Sequence, residues 1–262
     1  MTEDADDIAG LRRSDAEEDG PGRIATFPGS GTIARDSLSA QIHARLSAAL
    51  MQGEYAPGDR LTIRRLAERF ATNATPVREA VMQLVRQGAL ELRPGVQPRA
   101  PDVGLAGYLD IRDTRIPLER LASERAALHV GAAELAALQR HSADMHAAED
   151  AGRWKQALAA NQAFHFTVYR ASRMPVLIRY IGSLWLQIGP FINHLYPPVR
   201  RSGESMRLHV EIIAALSRRD AKAAGEAVVR EILRGSAAIE HRLRGADQAE
   251  GGRDRRHAGQ TG

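Results

Sequence analysis

The sequence predicts a mainly α-helical protein, with a small winged helix-turn-helix domain followed by an all-α helical bundle. Apolar residues recur at helical spacing through almost all of residues 34–243. One interruption, at 88–101, combines glycines and prolines with a short alternating segment that is typical of a β-hairpin. We therefore place the first domain at 34–101 and the bundle at 105–243.

Both ends of the chain are predicted to be disordered. Residues 1–33 are rich in Asp, Glu, Gly, Pro and Ser, and residues 244–262 are similarly poor in apolar side chains. The first 20 residues carry eight acids and two arginines, a net charge of −6, so the remainder carries +10 in a chain of +4 overall. Residues 34–100 hold ten arginines against six acids. This indicates an anionic partner such as DNA, or else a solvated surface in an arginine-rich chain.

Composition also excludes several classes of protein. The chain has no cysteine, which excludes disulfides, thiolate zinc sites and a cysteine nucleophile, and fits a reducing cytoplasm. No apolar stretch reaches the roughly 20 residues that span a bilayer, and the acidic N-terminus lacks a hydrophobic signal region. We therefore expect a cytoplasmic protein with no membrane partner.

Two helices open the first domain. Apolar residues at helical spacing predict a helix from Leu38 to Gln52, which Gly53 ends ahead of a turn. A second, shorter helix is predicted from Ile63 to Phe70, with Thr62 as its N-cap.

A third helix and a hairpin complete this domain. The helix is predicted to begin at Thr75 and Pro76, since threonine caps helices and proline fits the first turn. Gly88 ends it, and residues 90–93 begin a hairpin that turns at Gly95. This order of elements is the layout of a winged helix-turn-helix, in which the third helix enters the major groove of DNA.

Three motifs in this domain resemble the GntR family of bacterial regulators, with the family's spacing throughout. They are Gly53-Glu-Tyr-Ala-Pro-Gly-Asp-Arg-Leu61, Leu66-Ala-Glu-Arg-Phe70 and Thr75-Pro-Val-Arg-Glu-Ala-Val81. The match covers about 60 residues of the chain.

The resemblance implies DNA contacts by Arg64 and Arg78, a phosphate contact by Thr75, and entry of Gly95 at the wing tip into the minor groove. An arginine at the position of Arg78 can pair with guanine O6 and N7, whereas Arg64 suits a contact that fixes register. The alternative is that both arginines are simply exposed. Residues 73 and 74 are Asn and Ala where many relatives have Ser and Arg, so one basic contact is missing and a different operator is implied.

The helix at about 153–171 carries polar groups on the face that is predicted to be buried. Asn161 and His165 lie four residues apart on an otherwise apolar stripe, so both point at one spot. His209 lies on the apolar stripe of a later helix, and Glu231 lies near that of the last helix. These four side chains make a plausible set of divalent-metal ligands from three helices. The alternative is that the histidines hydrogen-bond each other, water or an organic effector.

The bundle resembles the all-helical ligand-binding domain, called FCD, of the FadR-type GntR subfamily. The motifs are Asn161-Gln-Ala-Phe-His165, His209-Val-Glu-Ile-Ile213 and the opening helix with Tyr108-Leu-Asp-Ile-Arg-Asp-Thr-Arg115. The resemblance implies one Zn, Mn or Ni ion per chain and a small carboxylate effector near Asn161, His165 and His209. Metal-binding members have a further histidine where this chain has Glu231, a residue that favours harder metals.

Arg115 has two interpretations. Its planar guanidinium suits bidentate pairing with the carboxylate of an effector. It also lies four residues before Glu119, where a salt bridge within one helix would occupy it.

Together the resemblances imply a ligand-responsive repressor that binds a palindromic operator as a homodimer and releases it when the effector binds. A metal-dependent enzyme is one rival class, but the chain contains no H-E-x-x-H, G-x-S-x-G or phosphate-loop motif, so no enzymatic activity is expected. A protein-binding bundle with an incidental basic domain is the other, and the motif at 75–81 argues against it.

Overall fold

A computed structural model describes residues 38–93, 95–192 and 204–258, all within one compact unit of the chain, Asp36–Gly262. The arm predicted at 1–33 lies outside the described residues. Within them the backbone forms nine helices: α1 (Leu38–Met51), α2 (Ile63–Arg69), α3 (Ala74–Arg86), α4 (Gly104–His129), α5 (Ala132–Asp150), α6 (Trp154–Ala171), α7 (Pro175–Ile192), α8 (Glu204–Ser217) and α9 (Ala221–Ala258). We call residues 38–101 the head and α4–α9 the bundle. None of these described helices combines the length and the apolar character needed to cross a bilayer.

The head forms because three short amphipathic helices share one apolar core. One face of α1 packs against the buried stripe of α3, and both bury their apolar side chains completely or nearly so. The main contributors are Ile42, Leu46, Leu50, Val77, Val81 and Leu84. The boundaries of α1 and α2 agree with the sequence prediction to within one residue.

Two local predictions for the head are wrong. Helix α3 begins at Ala74, and its N-cap is Asn73, whose side chain accepts a hydrogen bond from the Thr75 N–H at 3.2 Å. Thr75 therefore lies in the first turn, where Pro76 is still tolerated because N–H groups there have no partner within the helix. In place of the predicted hairpin, the described residues form isolated bridges. Glu91 and Arg99 exchange two backbone hydrogen bonds at 2.8 and 3.0 Å.

The prolines of the wing explain why no longer ladder forms. A proline has no N–H to donate to a partner strand, and the segment between the bridged residues contains prolines at 94 and 98. Gly95 has a φ of +71°, a left-handed conformation that glycine adopts without strain. The wing is therefore a turn that is held at its base by the bridges of Arg99 with Glu91 and Arg60.

Among the described residues, the bundle consists of the six helices α4–α9. The long helix α4 packs along α9, α5 packs on α6, and α8 packs on α9. Helix α9 continues to Ala258. The prediction of a disordered tail from residue 244 is therefore wrong for residues 244–258, whose backbone is helical. The extension is rich in Ala and Arg, which have high helix propensity, and each of its glycines costs only about 1 kcal/mol.

The head meets the bundle where the end of α1 packs against α7. A Cβ built on Gly189 of α7 would lie 2.1 Å from the carbonyl oxygen of Leu50, so only glycine permits this approach. Two residues earlier, Gln187 donates a hydrogen bond to the backbone oxygen of Gln87 at 3.4 Å. The contact between α1 and α7 thus depends on the absence of a side chain at Gly189 as well as on the hydrogen bond of Gln187.

Helix α6 contributes a second contact to the same junction. The Gln162 side chain accepts a hydrogen bond from Gln52 at 3.3 Å and directs its own N–H at the sulfur of Met51 at 2.8 Å. Both partners lie at the C-terminal end of α1, so α6 and α7 together hold that end of the head helix.

We expect Gly189→Ala to lower the free energy of unfolding by about 1–3 kcal/mol, because the added methyl group overpacks against the Leu50 carbonyl. Gly182→Ala on the same helix is the matched control. Its Cβ meets nothing within 4 Å, so it should instead stabilise the helix by about 0.5–1 kcal/mol. Urea denaturation measures both, and equal stabilities of the two variants would contradict the packing of α1 on α7.

Candidate functional site

The predicted DNA-contacting residues lie on the exposed side of the head. Arg64 is in the first turn of α2 and forms an ion pair with Glu68 at 3.6 Å, with both side chains more than half exposed. Such exposed pairs contribute little stability, so the arginine can exchange this partner for a phosphate. Arg78 is exposed on α3 beside the buried Val77 and Val81 and has no ion-pair partner in the described part of the chain.

The other two predicted contacts are also exposed. Thr75 lies in the first turn of α3, where the helix dipole favours an anion. Gly95 lies on the wing, and a Cβ there would meet no atom within 4 Å. A glycine is therefore favoured at position 95 by the positive φ of the backbone, and not by a steric clash with a neighbouring atom.

A buried polar cluster lies between three helices of the bundle. It consists of His165 on α6, His209 on α8 and Glu231 on α9. The Nε2 atom of His165 lies 3.3 Å from Oε1 of Glu231, and Nε2 of His209 lies 3.0 Å from the same oxygen. One donor atom from each residue lies within 4.8 Å of the others.

Several polar atoms of this cluster lack a hydrogen-bond partner among the described residues. They are both ring nitrogens of His209 and the Oε2 atom of Glu231. The approach of His209 Nε2 to the carboxylate is close, but the two groups are not aligned as donor and acceptor. Buried polar atoms of this kind are rarely left unpaired. The cluster is therefore suited to receive a further group.

The carboxyl of Glu231 is held in its charged form. Burial alone would raise its pKa, but His165 and His209, through the positive charge that they carry when protonated, keep the pKa well below the ordinary value. An ionised carboxylate thus faces two imidazole nitrogens inside the bundle. This arrangement attracts a cation, or a proton shared with one of the rings.

Asn161, the fourth predicted ligand, is not joined to the other three by any hydrogen bond described for this chain. It lies one turn before His165 on α6 and is partly exposed. Its role as a ligand stays a prediction.

Arg115 is engaged by Glu119, so the salt bridge is the interpretation that the structure supports. The Nε atom of Arg115 donates to Oε1 of Glu119 at 2.7 Å, and its guanidinium lies 5.2 Å from the centre of the Trp185 ring. The indole N–H of Trp185 donates to the same Oε1 at 3.0 Å, and the hydroxyl of Tyr169 donates to Oε2. Glu119 is completely buried and has three partners on three helices.

Tyr169, which was not predicted from the sequence, joins the hydrogen bonds around Glu119 to the polar cluster. Its hydroxyl lies 3.3 Å from Nδ1 of His165. Burial, and then the charge of Glu119, raise the pKa of Tyr169 well above its ordinary value, so the phenol keeps its proton. The spacing of four residues from His165 to Tyr169, on one face of a helix, is the signal that could have found it.

Comparisons with known proteins decide the family. The model of bacterial regulatory proteins of the gntR family matches residues 38–97, and the model of the FCD domain matches residues 110–234. The HTH-type transcriptional regulator McbR of Escherichia coli K12 is 32% identical over 198 residues, which are 74% of this chain and 89% of McbR. The chain belongs to the GntR family.

The solved structure of E. coli McbR has the same architecture as this GntR regulator. It superposes with a TM-score of 0.74 at 29% identity, covering 79% of this chain and 98% of McbR. A putative GntR regulator from Rhodococcus sp. RHA1 shares the fold, with a TM-score of 0.63 at 17% identity over 77% of this chain and 96% of its own. A probable D-xylose utilization operon transcriptional repressor of Paenarthrobacter nicotinovorans is 26% identical over 84% of this chain and 96% of its own length.

These matches confirm the predicted fold class, a winged helix-turn-helix head with an all-helical FCD domain. They also confirm the FadR-type resemblance. The chain is a DNA-binding transcription regulator and not an enzyme.

Proposed function

We propose that this GntR regulator is a repressor that binds a palindromic operator as a homodimer and responds to a small carboxylate effector at a divalent metal site in the FCD domain. The observation that carries the proposal is the buried cluster of His165, His209 and Glu231, with its unpartnered polar atoms.

The donor set fits a transition-metal ion. Zinc binds imidazole nitrogen and carboxylate oxygen at about 2.0–2.2 Å, so tetrahedral ligand atoms lie roughly 3.3 Å apart. The two Nε2 atoms are 3.3 and 3.0 Å from the shared carboxylate oxygen. Two histidines and a glutamate are also the protein ligands of zinc sites that keep an open position. His165, His209 and Glu231 would hold the ion, with Asn161 as an additional ligand, and Zn, Mn and Ni all suit this set.

The open position of such an ion is the proposed contact for the effector. The Nε atom of Arg115 is paired with Glu119, so Arg115 can contact the effector only through its terminal nitrogens, and a second positive group would strengthen binding of the effector carboxylate. A bound divalent ion supplies that charge at the cluster. The effector controls DNA binding only if it has different affinities for the DNA-bound and free forms of the protein.

The homodimer and the palindrome follow from how winged helices read DNA. One recognition helix covers only a few base pairs, so regulators of this class pair two heads on two half-sites, and the symmetry of the operator mirrors that of the protein. In each head, Arg64, Thr75, Arg78 and Gly95 are the proposed DNA contacts, all on exposed positions.

We expect the purified protein to carry about one divalent ion per chain in native mass spectrometry, and the double variant His165→Ala/His209→Ala to carry none. The matched control is His129→Ala/His241→Ala, which removes two exposed histidines and should keep the ion. Absence of metal from the wild type after supplementation with zinc, manganese and nickel would contradict the metal site. The histidines would then be polar groups of a metal-free effector pocket.

A further inference from the structure

We infer that Tyr169 and Glu119 are positioning residues, which hold the proton-bearing Nδ1 of His165 and so direct Nε2 of the ring into the cluster with Glu231. The inference deepens the proposed function and rests on it for the metal. The hydrogen-bond order itself can be tested on the metal-free protein.

The hydrogen bond between Tyr169 and Glu119 can have only one direction. A phenol hydroxyl has one proton to donate, whereas an ionised carboxylate can only accept. Tyr169 therefore donates its hydroxyl hydrogen bond to Oε2 of Glu119. The hydroxyl oxygen keeps only acceptor capacity for any other neighbour.

The contact of His165 with Tyr169 follows from this direction. The Nδ1 atom of His165 lies 3.3 Å from the Tyr169 oxygen, and the two side chains are one turn apart on α6. Because that oxygen can only accept, Nδ1 must carry the hydrogen. A neutral imidazole that binds a metal through Nε2 carries its single proton on Nδ1, so the Tyr169 oxygen stabilises the form that binds metals.

Glu119 anchors this chain of hydrogen bonds. Glu119 is completely buried and is held by Arg115 from its own helix and by Trp185 from α7. The carboxylate therefore cannot turn away from Tyr169 without losing a buried ion pair. The orientation of His165 is set by contacts from α4 and α7 as well as by α6.

His209 provides a contrast within the same cluster. Its ring stacks on Phe164, with centroids 3.7 Å apart, and in the described residues its Nδ1 has no hydrogen-bond partner. Packing and the 3.0 Å contact of Nε2 with Glu231 orient this ring, and among the described residues its Nδ1 has no counterpart of Tyr169. The two histidines therefore depend on different neighbours, and only His165 is expected to respond to removal of the Tyr169 hydroxyl.

The test is Tyr169→Phe, which removes one oxygen and keeps the ring. Loss of an outer hydrogen bond to a metal-binding histidine lowers affinity by about 10- to 100-fold, and we expect this change in zinc affinity measured by competition with a chromogenic chelator. Tyr108→Phe is the matched control, since it removes another buried phenol oxygen, on α4, and should leave the zinc affinity unchanged. Unchanged zinc affinity in Tyr169→Phe would overturn the inference.

A second readout separates this inference from the metal proposal. In metal-free, ¹⁵N-histidine-labelled wild type, two-bond ¹H–¹⁵N spectra should show His165 protonated on Nδ1, and Tyr169→Phe should lose that preference, with His165→Ala used for assignment. Absence of a proton from Nδ1 of His165 in the wild type would overturn the hydrogen-bond order. If the order is found but no metal binds, the metal site fails while the positioning role of Tyr169 stands.

Discussion

Replacing Glu119 with alanine is expected to lower the free energy of unfolding by about 3–5 kcal/mol. The change leaves Arg115 as a buried cation without its partner, and removal of one member of a buried ion pair has an effect of this size. Trp185 and Tyr169 lose their common acceptor at the same time, and each orphaned donor adds to the loss. Urea denaturation followed by the fluorescence of Trp185, which lies beside the site, measures the effect.

The chain contains a matched control on the same helix. Glu124 pairs with Arg120 at the same spacing of four residues, and the Nε–Oε1 distance is 2.8 Å against 2.7 Å for the buried pair. The side chains of the outer pair are 45% and 32% exposed, and those of the inner pair are 11% and 0% exposed. Glu124→Ala should therefore change the free energy of unfolding by about 1 kcal/mol or less. Similar losses in both variants would mean that burial does not decide the strength of these pairs.

Replacing Arg78 with alanine is expected to reduce affinity for the operator by about 5- to 150-fold, which corresponds to about 1–3 kcal/mol. A bidentate arginine on the recognition helix reads one guanine, so the loss should appear on specific DNA and relax the preference at one base pair. The operator can be selected from a random pool, and fluorescence anisotropy then gives the affinity for the selected and a scrambled duplex.

Two further arginines make this experiment diagnostic. Arg64→Ala should weaken binding to both duplexes alike and lower the slope of log affinity against log salt by about one, as for a phosphate contact. Arg140→Ala removes the same charge from an exposed position on α5 and should change neither value. Equal weakening of both duplexes by Arg78→Ala would make Arg78 a backbone contact and would refute its role in sequence reading.

Sequence reasoning predicted most of the head because its signals are local. Apolar periodicity placed α1 and α2 to within one residue, and the motif at 75–81 lies on α3, which stays the predicted recognition helix. It failed where two local signals compete. Asn73 and Thr75 are both good N-caps, and only the backbone decides that Asn73 is used. The alternation at 90–93 indicated a strand, but the neighbouring prolines leave this segment with one isolated bridge, between Glu91 and Arg99, among the described residues.

The polar cluster was only partly within reach of the sequence. Each of His165, His209 and Glu231 lay on or near a buried stripe, and the structure brings the three together. The acceptor role of Glu119 toward Tyr169 and Trp185 depends on how α4, α6 and α7 pack, and no spacing along the chain encodes those contacts. The position of Asn161 relative to the cluster stays a prediction.

The junction between head and bundle has a consequence for how such a regulator can diverge. On α6, Gln162 holds the end of α1 and His165 follows three residues later. On α7, Trp185 borders the pocket network, and Gln187 and Gly189 touch the head within the next turn. If the effector binds at the polar cluster, as we propose, mutations that adapt this site to a new effector fall on the same helical turns that contact the head. A change of effector selectivity is then expected to alter how the head packs on the bundle.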